Sequence, residues 1–339
     1  MTFVEDRLHE IFWGATVDFA KYIASLSIIA IHTGLFADVH PELYFVVVQI
    51  ISRMAVPFFA VCTGYFLASK LETDGVQTNS ADVFVKYCKK LVLMYFVWTM
   101  LYLIYSLPTW ISTGWFSAWA FVDYGIGACL NGSHYHLWYL LSLIYAVPCF
   151  YVCVRWIQSK HLIVVSAVLY AIKVLMYGYR NYTPALMQRL FALFDRFGGL
   201  TSGVFLILPL LLLGAYICRS KYKNPKYNVY GFIISLILLM IEAVWLSWSG
   251  QTNVSFIVFT YPTAYFLFSI IKDAKINLSG KVCQILGGAS LIIYCVHPMA
   301  IEILHPYLKG SVTLFIVVVL LSTAIGLICV EVKNIWKAR

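Results

Sequence analysis

Apolar residues along this chain fall into ten long runs divided by short polar segments, with no sustained period-two alternation of the kind that marks strands. The runs cover residues 14–36, 43–69, 87–107, 136–155, 160–178, 202–218, 229–249, 254–271, 284–304 and 311–332. Since about 20 apolar residues span the hydrocarbon core of a bilayer, each run predicts a transmembrane helix. Lys and Arg set the orientation. With the N-terminus inside, seventeen fall in inner segments, four (Arg180, Arg189, Arg196 and Lys309) fall in outer ones, and Lys21, Arg53 and Lys173 lie within runs. That bias predicts both termini in the cytoplasm. The expected fold is an all-α integral membrane protein, a bundle of about ten transmembrane helices forming one domain over residues 1–339. The mixed-charge start, MTFVEDRLHE, leads into a run long enough to span, which reads as an anchor rather than a cleavable leader.

Two outer segments are longer than a turn requires. Pro108 to Tyr135 has no Lys or Arg but holds Trp110, Trp115, Trp119, Tyr124 and His134, which suits either a cap over an outward cavity or an interfacial aromatic belt. Tyr179 to Gly199 interleaves Arg180, Arg189, Asp195 and Arg196 with LFALF, the pattern of an amphipathic helix lying along the outer face.

Composition agrees with the pattern. Hydrophobic residues make up 62% of the 339, charged residues only 12%, and the mean hydropathy is +0.83, whereas a globular chain carries about 25% charged residues. The net charge of +9 is explained by inner loops, so nucleic acid is not an expected partner. Nine cysteines without a CxxC pair indicate neither a disulfide framework nor a zinc site.

Against this apolar background the charged residues inside runs stand out, because an ionisable group at a helix centre costs about 2.5 to 3.5 kcal/mol and must face protein or water. The first run contains Asp18, Lys21 and His32. At about 100° per residue, Lys21 and His32 lie about 20° apart and Asp18 about 60° from Lys21, so all three share one stripe with Ser25 between them. Lys21 and His32 are about 16 Å apart along the axis, half a bilayer core. In the second run Arg53 precedes Pro57, which kinks the helix. A buried guanidinium cannot neutralise itself and needs an anion, either Asp18 or the phosphate or developing oxyanion of a substrate. The fourth run opens HYHLWYLL, so His136, Trp138 and Tyr139 offer rings that could hold a sugar face or simply anchor the helix. In the ninth, Ser290, Tyr294 and His297 recur at helical spacing on one face. His32 and His297 sit at matching depth, but with Glu302 the one carboxylate close by, no metal is expected. His32 has three readings from chemistry alone: a satisfied core imidazole, a proton relay in a transporter, or a general base that moves a proton from a hydroxyl to a leaving thiol.

These residues resemble the acyltransferase-3 family of bacterial membrane O-acyltransferases. The family pattern of Asp, a basic residue three later and His eleven beyond matches Asp18, Lys21 and His32; its Arg followed by V-P-F-F and Gly-Tyr matches Arg53, Val56 to Phe59, Gly64 and Tyr65. HLWYL at His136 to Leu140 and the late Tyr-x-x-His of Tyr294 and His297 extend the likeness over nearly the whole chain. The wording is most similar to the branch with the enterobacterial-common-antigen acetyltransferase and the membrane portion of the vancomycin-resistance serine racemase. One position departs: many members carry Arg where this chain has Lys21, which keeps the charge and loses the bidentate fork.

The resemblance implies a multi-pass protein of the bacterial cytoplasmic (inner) membrane. It would move an acyl group from acetyl-CoA, as donor substrate, to a hydroxyl of an exported glycan or lipid-linked sugar. On that reading His32, Arg53, Asp18 and Lys21 are catalytic, and His136, Trp138, Tyr139, Tyr294, His297 and Arg196 bind substrate. The rival reading from the residues is a proton-coupled transporter of a small polar solute such as an amino acid, against which stands the lack of a visible inverted repeat. A scaffold would not need four ionisable groups in the bilayer.

Overall fold

The computed structural model describes residues 2–73, 80–220, 224–251 and 254–338. Among them every regular element is helical and none is a strand. The helices are α1 (Thr2–Thr33), α2 (Pro41–Tyr44), α3 (Ala55–Thr73), α4 (Ser80–Ser112), α5 (Ala118–Leu130), α6 (Trp138–Trp156), α7 (Ser159–Met176), α8 (Ala185–Asp195), α9 (Gly198–Ser202), α10 (Leu208–Arg219), α11 (Pro225–Trp248), α12 (Thr260–Asp273), α13 (Gly280–Leu304) and α14 (Ser311–Ala338). Each of the ten apolar runs therefore contains helix. Lys221, Lys223 and Arg339, which count toward the inner basic residues, lie outside the described residues.

Among the described residues nine helical segments are long and apolar enough to cross a bilayer, one fewer than the runs predict. The exception is the eighth run, where helix begins only at Thr260 and lasts 14 residues. Its start is fixed from the side. Glu242, buried in α11, accepts hydrogen bonds from the amides of Val258 at 2.8 Å and of the N-cap residue Phe259 at 2.9 Å, holding the two residues before the helix. The second run is also interrupted. Between α2 and α3 the backbone passes through a π turn (Phe45–Ile51) and a 3₁₀ turn (Ser52–Met54). Pro57, which lacks the N–H that would bond Arg53's carbonyl, follows directly.

The chain forms two compact units. The first, residues 2–59 with 224–338, has its core where α1, α13 and α14 pack through Ile29, Ala289, Ile293, Ala300, Ile301, Leu314 and Val318. α1 and α13 approach so closely that a Cβ on Gly287 would lie 2.5 Å from the Cβ of Asp18, so only glycine fits there. Asp38, before α2, ties to the start of α14 by accepting from the Ser311 amide at 3.0 Å and from the Ser311 hydroxyl.

The second unit, residues 60–220, is centred on α6, α7 and α10. Here a Cβ on Gly64 of α3 would lie 2.1 Å from the Leu211 carbonyl oxygen of α10, another contact closed to any larger residue. The segment expected as a cap is a 13-residue helix, α5, fastened to α4: the Tyr124 hydroxyl donates to the Thr99 carbonyl at 2.9 Å and the Tyr95 hydroxyl to the Ala128 carbonyl at 2.5 Å. The segment expected to be an amphipathic helix contains α8, which buries only Phe191 and whose last residue, Asp195, pairs with Arg180 at 2.6 Å.

Large apolar side chains lie exposed along several helices, among them Leu93 and Ile104 on α4, Ile234 and Ile241 on α11, and Leu320 and Ile328 on α14. Stripes of this kind suit apolar surroundings rather than water.

Candidate active site

The stripe predicted on α1 forms in the first unit. Lys21 donates to Asp18 Oδ1 at 2.9 Å, and both side chains keep about a quarter of their surface exposed. The i, i+3 spacing makes the pair local, and Gly287 brings the backbone of α13 against Asp18 from the other side. Two residues before Asp18, Thr16 donates to the Ala274 carbonyl at 2.8 Å, fixing this end of α1 to the residue after α12. Ser25, inside the stripe, is buried and donates to the Tyr22 carbonyl, so it is helix-internal rather than a reactive hydroxyl.

At the far end of the same face, His32 and His297 meet with ring centroids 5.2 Å apart and planes inclined by 32°. His297 is 0% exposed, whereas His32 is only half-buried. His297 Nδ1 lies 3.1 Å from the Ile293 carbonyl oxygen. A carbonyl can only accept, so Nδ1 carries the hydrogen, and a neutral ring then has its lone pair on Nε2. Tyr294, also buried, places its ring 6.2 Å from that of His297. Two helices thus assemble an imidazole pair from residues 265 positions apart in sequence.

Arg53 occupies the 3₁₀ turn that packs on α1. Its Nε donates to Gln49 Oε1 at 2.8 Å and its Nη1 to Ser255 Oγ at 2.5 Å, while Gln49 donates on to the Tyr44 hydroxyl. The anionic partner that the sequence suggested, Asp18, is instead paired with Lys21. Arg53 has no ion pair among the described residues, and its neutral partners hold the fork in place while leaving its charge uncompensated.

Of the substrate-binding candidates of the second unit, His136 and Tyr139 are buried and Trp138 and Arg196 are accessible. His136 is 1% exposed, its Nδ1 lies 3.2 Å from that of His134, and Tyr102 stacks on His134 at 4.3 Å. Tyr139 is buried as well, its ring edge-on to Trp138 at 6.2 Å. His136 packs against Tyr102, fully buried in α4, with ring centroids 5.1 Å apart. Trp138 is half-buried, and Arg196, the residue after α8, is exposed.

Three residues of the first unit escaped the reading of the sequence. Gln49 lies four positions before Arg53, a spacing that was legible. Glu242, a lone carboxylate within an apolar run, also gave a signal, whereas nothing marks Ser255 in advance. Among the described residues no group of three or more His, Cys, Asp or Glu is placed to hold a metal ion.

Comparison with known proteins adds a family. A family model described as an acyltransferase domain matches residues 15–331. An amino-acid racemase from Enterococcus faecalis is 27% identical over 330 residues, covering 94% of this chain and 46% of the racemase. A serine/alanine racemase from Enterococcus gallinarum is 27% identical over 334 residues, again covering 94% of this chain and 46% of its own length. The chain therefore spans just under half the length of these curated relatives. No solved structure matches it significantly.

Proposed function

The chain belongs to the acyltransferase-3 family, and from that premise we propose that it is a membrane O-acetyltransferase. It would take acetyl groups from cytoplasmic acetyl-CoA and place them on a hydroxyl of an exported glycan or lipid-linked sugar. The nine apolar helices among the described residues, their exposed aliphatic stripes and the bias of Lys and Arg support insertion in the inner membrane with both termini inside.

The observation that carries the proposal is the half-buried His32 beside the fixed imidazole of His297, on a helix face that also holds the Asp18–Lys21 pair. His32 takes the proton of the acceptor hydroxyl as that oxygen attacks the thioester carbonyl. The oxyanion forms opposite Arg53, whose charge has no carboxylate to offset it. When the C–S bond breaks, His32 returns the proton to the CoA sulfur. In a relay variant of the same reaction the His32 imidazole attacks the thioester itself and expels CoA thiolate, and the acceptor hydroxyl then takes the acetyl group from the imidazole while its proton goes to the thiolate. Lys21, held by Asp18, and the basic inner segments supply positive charge toward the donor phosphates. Tyr294 and His297 line the acceptor end, and in the second unit Trp138 and Arg196 are the accessible members of the substrate-binding set.

The intramembrane charges leave a second reading, a proton-coupled transporter of a small polar solute, and the names of the Enterococcus relatives, an amino-acid racemase and a serine/alanine racemase, suggest only amino acids as the solute class to try. The purified chain separates the two. Stabilisation by CoA with release of free thiol from acetyl-CoA supports the acyltransferase, and stabilisation by serine or alanine alone, without thiol release, supports the carrier.

A further inference from the structure

A cavity of about 420 Å³ lies within the second unit where the C-terminal ends of α3, α6 and α10 meet, lined by Glu72, Tyr151, Arg155, Trp156 and Arg219. None of these residues takes part in the chemistry proposed above. The volume is in the range of small-molecule sites, about 300–1,000 Å³. Two guanidinium groups against one carboxylate leave the lining positive.

The two arginines differ in their engagement. Arg219 donates from Nε to Glu72 at 2.6 Å and from Nη2 to the Val154 carbonyl at 3.1 Å, which holds its fork in place at the end of α6. Arg155 is exposed and has neither an ion pair nor a hydrogen bond among the described residues. Trp156 beside it is 82% exposed. One anchored guanidinium facing one that has no partner is the arrangement that takes pairs of phosphate oxygens. Glu72 and the negative ends of three helices oppose an anion, so binding requires both arginines.

We propose that this cavity binds a phosphate ester, gripped by Arg155 and Arg219, with Trp156 covering the group that bears it. Two molecules present this chemistry on the inner side of the proposed topology: the phosphorylated nucleotide end of acyl-CoA, which rests on the acetyltransferase reading, and the headgroup of an anionic phospholipid, which does not.

The test uses the full chain in nanodiscs, with adenosine 3′,5′-bisphosphate as the probe in phosphatidylcholine discs and phosphatidylglycerol discs as the lipid arm. Wild-type protein stabilised by the bisphosphate, with affinity reduced about tenfold or more in Arg155→Gln, assigns the nucleotide end. Stabilisation by phosphatidylglycerol alone, absent in Arg155→Gln, assigns the headgroup. Equal responses of wild type and Arg155→Gln in both arms overturn the proposal. Arg155 is exposed, so its replacement should leave the unliganded melting temperature unchanged; if it does not, Arg155→Lys, which keeps the charge and loses the fork, gives the same comparison. Thiol release from acetyl-CoA by the wild type is read separately. Release with no effect at Arg155 overturns the cavity and leaves acyl transfer standing, and phosphate binding without release does the reverse.

Discussion

His32 and His297 stand 5.2 Å apart between ring centroids although one belongs to α1 and the other to α13. The Ile293 carbonyl fixes the orientation of His297, and the tight packing of α1 on α13 fixes the distance. The relationship makes the α1–α13 contact a determinant of the site as well as of the fold.

Gly287 is where that contact is closest, so Gly287→Ala should disturb both. Its Cβ would fall within 2.8 Å of the Cα and Cγ of Asp18, neither of which can swing away as the end of a flexible side chain can. Overpacking of this kind costs about 1–3 kcal/mol. Thermal melts of the purified variant should show a lower midpoint, accompanied by slower acetyl-CoA turnover. A midpoint equal to wild type would mean that the two helices are not so closely apposed.

Much of this was legible in the residues themselves. The α1 stripe follows from helical periodicity alone, and the Asp18–Lys21 pair is the i, i+3 neighbour contact that such a stripe contains. The meeting of His32 with His297 needs tertiary packing, to which the matching depth of two runs only points. Of the partners of Arg53, Gln49 is marked by its i, i+4 spacing and Ser255 by nothing: electrostatics demands an anion, and the fold supplies these two neutral groups instead. The eighth run misled because hydropathy cannot see a buried carboxylate capping a later segment, as Glu242 does for Val258 and Phe259. That His136 and Tyr139 are buried was not legible either, because ring type alone does not say which way a helix turns its face.

Arg53→Lys keeps a positive charge but loses the fork shared between Gln49 and Ser255. If Arg53 stabilises the oxyanion, kcat for acetyl transfer should drop about 10²–10³-fold with a much smaller change in KM. An effect confined to KM would place Arg53 in ground-state binding instead.

Asp38 gives a prediction in pH. Hydrogen bonds from the Ser311 hydroxyl, and then from its amide, hold the Asp38 carboxyl below its ordinary value of 3.8. A carboxylate whose pKa is lower in the folded state contributes stability above its unfolded value and loses it as pH falls through the folded one. The wild type should therefore lose this contribution only below about pH 4, and Asp38→Asn should lack it at neutral pH. Melting temperatures of both proteins between neutral and acid pH should converge as pH falls. A constant difference across the range would show that ionised Asp38 does not tether α14.

The most direct measurement is acetyl-CoA turnover by purified His32→Ala beside the wild type, both in the same nanodiscs and both checked for an intact melting transition. With His32 as base or relay, the variant should release thiol and transfer acetyl about 10²–10⁴-fold more slowly than wild type while melting at the same temperature. Turnover at the wild-type rate in a folded His32→Ala protein would contradict a catalytic His32 and reduce its approach to His297 to a packing contact.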